Sequence, residues 1–456
     1  PDNILYKQAN KSGIDGINQN LADASRLNLP YSLADADPRL RNLAGSASRL
    51  NQDVRANAET AIGDRQMGQA DRAVQAIDTH LAPIPNMTDL RGGLLKQAQS
   101  ASKPLYEQAM QQPAPYDATI NEMLGTPAGS RAVRSGYDIG LNRGASPADL
   151  SFTTGVNGEP MIHGQPNWRT LQLTKMGLDS AVEKARDPMT GKLNLADPQV
   201  GALNDLRQRF VAHLGSINPD YAAANSAYAR PMGFADAADR GYSNASGAVP
   251  PDRLGASLAN LKAGQQPFFQ QGYAGALADQ ANKVRLSGDP YTSIHGSPAQ
   301  QAKIGQVFPD GAANFARVHA LEKDMARTAY ETTGGSPTAA RQAADDQFGS
   351  RLLGHALDIG TSVASGAPTP GMFAGLLGKR LPDAIKFGVG KAAQKSAGEI
   401  GPTLLDQDPA KAQAILAQII QSRKAWDDYV AKSRGAFGAL GGVAAAPFGF
   451  TSASQQ

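Results

Sequence analysis

Six histidines, at positions 80, 163, 213, 295, 319 and 355, are the first residues to test for chemistry. Imidazole is the commonest general base and metal ligand at neutral pH. No two of these histidines form an HExxH pair and none stands in an acidic cluster at metal-ligand spacing. They predict structural or surface residues and no metal site. The chain has no GxxxxGK[ST] loop, and its glycines do not follow a strand as a dinucleotide fingerprint requires, so no nucleotide or other cofactor is expected. Cysteine is absent, which removes thiolate catalysis, disulfides and cysteine zinc sites. A glycan-cleaving enzyme needs one carboxylic acid of raised pKa beside a second carboxylate or a polar partner. Glu59, Glu107 and Glu183 lie on ordinary helix faces instead. Asp345-Asp346 and Asp427-Asp428 are adjacent pairs, and sequence neighbours point about 100° apart on a helix, too far to share a proton. The expectation is a protein that is not an enzyme, with no catalytic residue assigned.

The strongest pattern is one of charge. Two stretches, 359–378 and 435–456, carry no charged residue. Between them, 379–395 holds Lys379, Arg380, Lys386, Lys391 and Lys395 against the single acid Asp383. Apolar and basic material alternates in this way in segments that lie at membrane surfaces. Phe373, Leu376, Leu377, Ile385 and Phe387 are the residues expected to meet lipid, and Trp426, near Lys424 and Lys432, is the candidate interfacial anchor. Lys379, Arg380, Lys386 and Lys391 would serve anionic headgroups or DNA phosphates. The apolar run 372–377 is too short to span a bilayer, and Pro368 and Pro370 precede it. A loop leading into a surface-seeking helix therefore stands beside insertion as a reading. For 435–456, rich in Gly and Ala, a disordered tail stands beside close helix contacts in lipid.

The elements that must carry this pattern are slender. A chain of 456 residues divides into roughly two to four domains by size. Ala makes up about one residue in six, and aromatics only 6%, so the 41% apolar fraction overstates the large side chains available. Closely packed thin helices around modest cores follow. The net charge of +3, from 44 basic and 41 acidic residues, is too balanced for a protein that coats nucleic acid. The N-terminal Pro-Asp-Asn-Ile-Leu-Tyr-Lys has neither a basic start nor an apolar run, so no secretory signal is expected. With no initial Met, a trimmed initiator or a processed chain is the expectation.

Periodicity predicts a mostly α-helical protein of several bundles joined by Gly/Pro-rich linkers, with one small β-hairpin near 151–162. In the N-terminal helical region, 1–115, a Pro-free stretch spans 56–81, and a helix spans 87–111 with Asn86 as its cap and a break or kink near Pro104. Region 116–240 holds the hairpin and a three-helix antiparallel bundle. Its helices start at Asn167, near Pro198 and after Asn218, and the last stops before Pro231. Trp168 belongs to the bundle core. A linker over 241–251 leads to a second helical unit within 241–350, with helices at 267–285 and 313–331, a loop at 287–296 and a further helix at 338–357. The apolar and basic C-terminal region, 351–456, holds a last helix over 409–433 opened by Asp408 and Pro409.

Five blocks stand out: Leu-Pro-Tyr-Ser-Leu-Ala-Asp-Ala-Asp-Pro from Leu29, Gly-Asp-Arg-Gln-Met-Gly-Gln-Ala-Asp-Arg from Gly63, Trp168 through Pro188 with its Lys-Met-Gly-Leu-Asp centre, Ile-Asn-Pro-Asp-Tyr-Ala-Ala-Ala-Asn-Ser-Ala-Tyr-Ala from Ile217 and Phe-Phe-Gln-Gln-Gly-Tyr from Phe268. Over roughly 20–350 these blocks resemble the internal virion proteins, also called DNA ejection or pilot proteins, of short-tailed phages and prophages. The resemblance implies storage in the virion interior near the portal and exit with the genome. It also implies reassembly in the host envelope as a homo-oligomeric, membrane-interacting conduit for DNA. Its partners would be further copies of itself, the portal and other ejection proteins, DNA held without sequence preference, and the host membrane. Some relatives carry a peptidoglycan-cleaving domain, but no pattern here matches one. The rival expectations are a static plug or connector at the head-tail junction, a peptidoglycan-cleaving enzyme, which the lack of a paired acid disfavours, and a DNA-packaging accessory, which would need basic faces in the N-terminal helices, where Arg65, Arg72 and Arg91 are interspersed with acids.

Overall fold

A computed structural model describes residues 2–114, 117–155, 160–162, 164–185, 193–284, 289–333 and 383–440. Over these residues the chain is mostly α-helical, with one small antiparallel hairpin. The helices, in chain order, begin with α1 (Asp2–Ser12), α2 (Ile14–Arg26), α3 (Pro38–Leu50), α4 (Gln52–Met67), α5 (Gln69–His80) and α6 (Met87–Met110). Next come α7 (Ala118–Gly125) and α8 (Pro127–Asn142), strands β1 (Phe152–Thr154) and β2 (Pro160–Ile162), then α9 (Trp168–Lys184), α10 (Pro198–Ile217) and α11 (Pro219–Asn244). The remainder are α12 (Pro251–Ala259), α13 (Gln266–Asn282), α14 (Pro290–His295), α15 (Pro298–Val307), α16 (Ala312–Thr333), α17 (Asp383–Leu405) and α18 (Pro409–Leu440).

The starts of these helices are written locally. Asp37, Asn51, Asn86, Asp117, Asn167, Asp197 and Asn218 each accept a hydrogen bond from a backbone N–H of the first helical turn, satisfying donors that the helix itself cannot. Proline at the first helical position follows several of these caps, where its missing N–H costs nothing.

The chain forms two compact units, each assembled from separated stretches. The first comprises Pro1–Ala76, Val284–His295 and Ala312–Gln456; the second comprises Ile77–Lys283 and Gly296–Gly311. In the first unit α16 and α17 pack on α3 and α4, and α18 packs on α1 and α2. The face of α17 that carries Ala393, Ala397, Ile400 and Leu404 is buried, as are Ala412, Leu416 and Ile419 of α18. The amide of Ala34 donates to the carbonyl of Leu404 at 2.9 Å, and Gln407 donates to the carbonyl of Ala61 at 2.7 Å. The described C-terminal helices are thus part of a core made with the N-terminal ones.

In the second unit α6, α9, α10 and α11 surround a core of Trp168, Leu171, Leu178, Leu206, Phe210, Leu214 and Tyr221, closed by Ile120, Met123 and Leu124. Tyr221 meets Trp168 and the edge of Tyr106, with ring centroids 5.1 and 5.8 Å apart. Each polar tip is satisfied. Trp168 Nε1 donates to the carbonyl of Pro113, Tyr106 to Asn225 Oδ1 and Tyr221 to Gln172 Oε1. In the hairpin Phe152 pairs with Ile162 and Thr154 with Pro160, and Phe152 and Ile162 lie against this core.

Four local expectations change. The 56–81 stretch is two helices, divided at Gly68. Pro104 stays inside α6, and Pro231 stays inside α11, which runs on to Asn244. An interior proline costs about 3 kcal/mol, but α11 packs along α6 and along α13, and that burial outweighs one lost bond. Third, 241–251 is not a free linker. Gly241 lies within α11 because the carbonyl of Phe269 approaches its Cα so closely that an added Cβ would meet that oxygen at 2.0 Å. Beyond it, the buried Lys303 Nζ donates to the carbonyls of Ala245, Ser246 and Val249 at 3.4, 2.8 and 3.3 Å, closing the C-terminal end of the helix. Fourth, the 287–296 loop contains the short helix α14. The helix expected over 338–357 lies outside the described residues.

Candidate functional site

The densest chemistry among the described residues lies inside the first unit, where two of the resembling blocks meet. The block from Leu29 supplies Asp35, which is fully buried. The block from Gly63 supplies Arg65 and Arg72. Arg65 forks onto the Asp35 carboxylate, with Nη1–Oδ2 at 2.8 Å and Nη2–Oδ1 at 3.3 Å, a bidentate charge-assisted pair. The Ser32 amide and hydroxyl both donate to the same carboxylate at 2.7 Å. Arg65 also donates to the carbonyl of Met325 on α16. Arg72 makes a second fork, onto Glu322 of α16, at 2.6 and 3.1 Å, and donates to the carbonyl of Arg65. Arg41, 3% exposed, joins the Asp35 carbonyl to the Thr328 hydroxyl and lies 3.6 Å from Asp324. Three guanidinium groups and three carboxylates thereby tie 32–41, 65–72 and 322–328 together.

Burial sets the proton chemistry of this cluster. It pushes the Glu322 carboxyl above the usual carboxylate range, against the pull of Arg72. Burial also raises Asp324, with Arg41 and Arg327 opposing. A carboxyl of raised pKa is the general acid of glycan-cleaving enzymes. Glu322, however, is 2% exposed and both its oxygens are held by Arg72, so a polysaccharide has no path to it. Its position reads as architecture. Arg65 and Arg72 are engaged by these carboxylates and present no basic face, while the exposed Arg91 pairs with Asp239 at 3.2 Å. Glu59 and Glu107 do lie on exposed faces, in i,i+4 pairs with Arg55 and Lys103.

A second group of titrating residues adjoins α14. His295 Nδ1 and His319 Nδ1 are 2.8 Å apart, and Tyr291 stacks on the His319 ring with centroids 5.4 Å apart. Elsewhere His213 Nε2 lies 2.7 Å from the Asp117 carboxylate. Sequence inspection missed the 295–319 pair because 24 positions separate its members and only the packing of α14 on α16 joins them. No cluster of three metal-ligating side chains occurs among the described residues.

In the second unit an open groove of about 530 Å³ is lined by Asn86, Met87, Asp239, Tyr242, Gly275 and Asp279 among others. Its polar groups are already paired, with Tyr242 donating to Asp279 at 2.6 Å and Arg91 against Asp239.

Of the residues assigned to membrane or phosphate contact, Phe373, Leu376, Leu377, Lys379 and Arg380 lie outside the described residues. Ile385, Lys386 and Phe387 fall in α17 and Trp426 in α18, with their side chains outside the description. Lys391 is described, and it is exposed on α17 together with Lys395. No described helix is long and apolar enough to cross a membrane. No known protein family, no curated protein and no solved structure matches the chain.

Proposed function

We propose that this chain is an internal virion protein of a phage, ejected with the genome, that helps form a homo-oligomeric conduit for DNA across the host envelope. One observation carries the reading. The cationic segment 379–395 leads into α17, which buries Ala393, Ala397, Ile400 and Leu404 and exposes Lys391 and Lys395 at the surface, the side on which an anionic headgroup or a phosphate would be met. The uncharged stretch 359–378 immediately precedes that segment, and a second one, 435–456, closes the chain after the charged span 396–434. The absence of cysteine supports the same reading, since a chain without crosslinks can unfold for passage through a narrow portal and refold afterwards.

The test is flotation of the full chain with anionic and with neutral vesicles. Binding stronger on anionic lipid, and lost when Lys379, Arg380, Lys386 and Lys391 are all changed to Gln, supports the proposal. Binding indifferent to those four changes would overturn the assignment of the cations, and no binding to either vesicle favours the static component of the head-tail junction. Point substitutions are preferred to truncation, because removing the C-terminal helices also removes Ile400, Leu404 and Leu416 from the first unit's core.

A further inference from the structure

The histidine pair offers a device that the function proposed above neither requires nor explains. Two Nδ1 atoms 2.8 Å apart make a hydrogen bond only if one carries a proton and the other presents its lone pair. If both rings are charged, both Nδ1 atoms become donors and like charges face each other at contact distance. Water screens them from one side only, because His295 is 6% exposed and packs perpendicular to the Phe315 ring while His319 is half-buried. The geometry therefore tolerates one proton between the two Nδ1 atoms and not two.

The element held by this contact is small. Helix α14 has six residues, and its N-terminus is tied by Asp289, which accepts from the Tyr291 amide and the Thr292 hydroxyl. Aromatic contacts also join it to α16, Tyr291 against His319 and Phe315 and His295 against Phe315, and Tyr291 and Ile294 are buried. The Tyr291 hydroxyl is buried without a hydrogen-bond partner among the described residues, which weakens the docking further. A short helix with one unsatisfied buried group and one proton-dependent contact is poised between two states.

We propose that His295 and His319 form an acid-released latch that holds α14 on α16 at neutral pH and lets it go when both imidazoles are protonated.

The surrounding charges bear on the sign. Around His319 stand Asp289, which favours its charged form, and Lys323, which disfavours it. Beyond Tyr291 lie Glu322 and Arg72. Burial is the largest influence on both rings. It pushes His295 down to about 4, with the His319 charge adding to the effect, and it lowers His319 as well. A base whose folded pKa is depressed contributes stability above its unfolded value near 6.5 and loses it as pH falls towards the folded value. Release thus belongs to the window between about 6.5 and 4. The raised carboxyls of Glu322 and Asp324 act in the opposite sense, since a group that holds its proton more tightly when folded favours the folded state in acid.

The experiment is hydrogen exchange of the full chain at pH 7.5 and pH 5.0, corrected for intrinsic rates, with attention to amides 291–295. A fall from about 6.5 to about 4 at His295 alone predicts about a thirtyfold loss of protection at pH 5.0. The variant H319N, whose side-chain amide stands near the position of Nδ1 but cannot take a charge, should lose much less. A proton NMR titration of the wild-type imidazoles supplies a readout that does not depend on the variant folding. Two coupled midpoints well below 6.5 support the latch. Independent midpoints near 6.5, or protection at 291–295 unchanged between the two pH values, would overturn it.

Discussion

The two units solve the same problem with different materials. Both are built from Ala-rich helices with few large side chains, so each supplements a modest apolar core with a second means of holding its elements. The first unit uses charge: Asp35, Arg41, Arg65, Arg72, Glu322 and Asp324 form a buried or partly buried network that joins segments almost 300 positions apart. The second uses contact. Added Cβ atoms at Gly136, Gly177, Gly241 and Gly272 would each meet a backbone atom of a facing helix at 2.7 Å or less, so α8 packs on α9 and α11 on α13 with backbones almost touching, around one aromatic core. Steric fit is indifferent to protons and salt, whereas a charge network specifies partners and can be broken by titration. The interior that responds to pH is therefore expected in the first unit.

The largest effect should come from Arg65→Ala, which leaves the Asp35 carboxylate buried without its counter-ion. Breaking a buried pair in this way costs about 3–5 kcal/mol, and denaturant unfolding should show it, with exchange protection lost in α3, α4 and α16. The double change D35L/R65M should recover only the part due to the unpaired charge, because two apolar groups need no solvation while the buried Ser32 donors still lose their acceptor. A failure of the double change to recover would mean that the network contributes position as well as charge.

Next in size is Gly272→Ala. The added methyl would meet the Ala238 carbonyl at 1.9 Å, and neither backbone can yield without parting α11 from α13. A loss of about 3 kcal/mol is expected, read as lower exchange protection in those two helices and none in α16. A neutral result would show that the second unit is looser than its glycines imply.

The smallest of the three belongs to Lys303→Met, which keeps the apolar stem and removes the ammonium. Three carbonyls at the end of α11 lose their donor, at a cost of about 2 kcal/mol. Faster exchange confined to 245–249 would confirm that this cation is a helix closure; an equal effect throughout the unit would contradict it.

Much of this was legible beforehand. The cap at Asn86, the opening at Asp408 and Pro409, and the starts at Asn167, near Pro198 and after Asn218 were placed correctly because a cap involves only four neighbouring residues. Trp168 was placed in a core because its spacing from Leu171, Leu178 and Val182 is helical, and it is 2% exposed. The glycines misled. A Gly, Ser and Pro-rich run from Gly241 reads as a linker, yet Gly241 is there to admit the Phe269 carbonyl, and nothing in the run itself announces that neighbour. Pro231 misled in the same way, since the burial that outweighs its missing hydrogen bond comes from α6 and α13.

The candidate site divides along the same line. The cationic and uncharged alternation over 359–456 is a property of order along the chain, so the sequence alone determined it, together with the helical class, the absence of crosslinks and the thinness of the cores. Only the tertiary structure decided that the arginines at 65 and 72 face carboxylates at 35 and 322, that a lysine at 303 closes a helix ending at 244, and that histidines 295 and 319 share a hydrogen bond. The physical reason is range. Capping and periodicity act over a few residues, while a buried charge has to be matched wherever its partner lies, and the search for that partner is made by the fold.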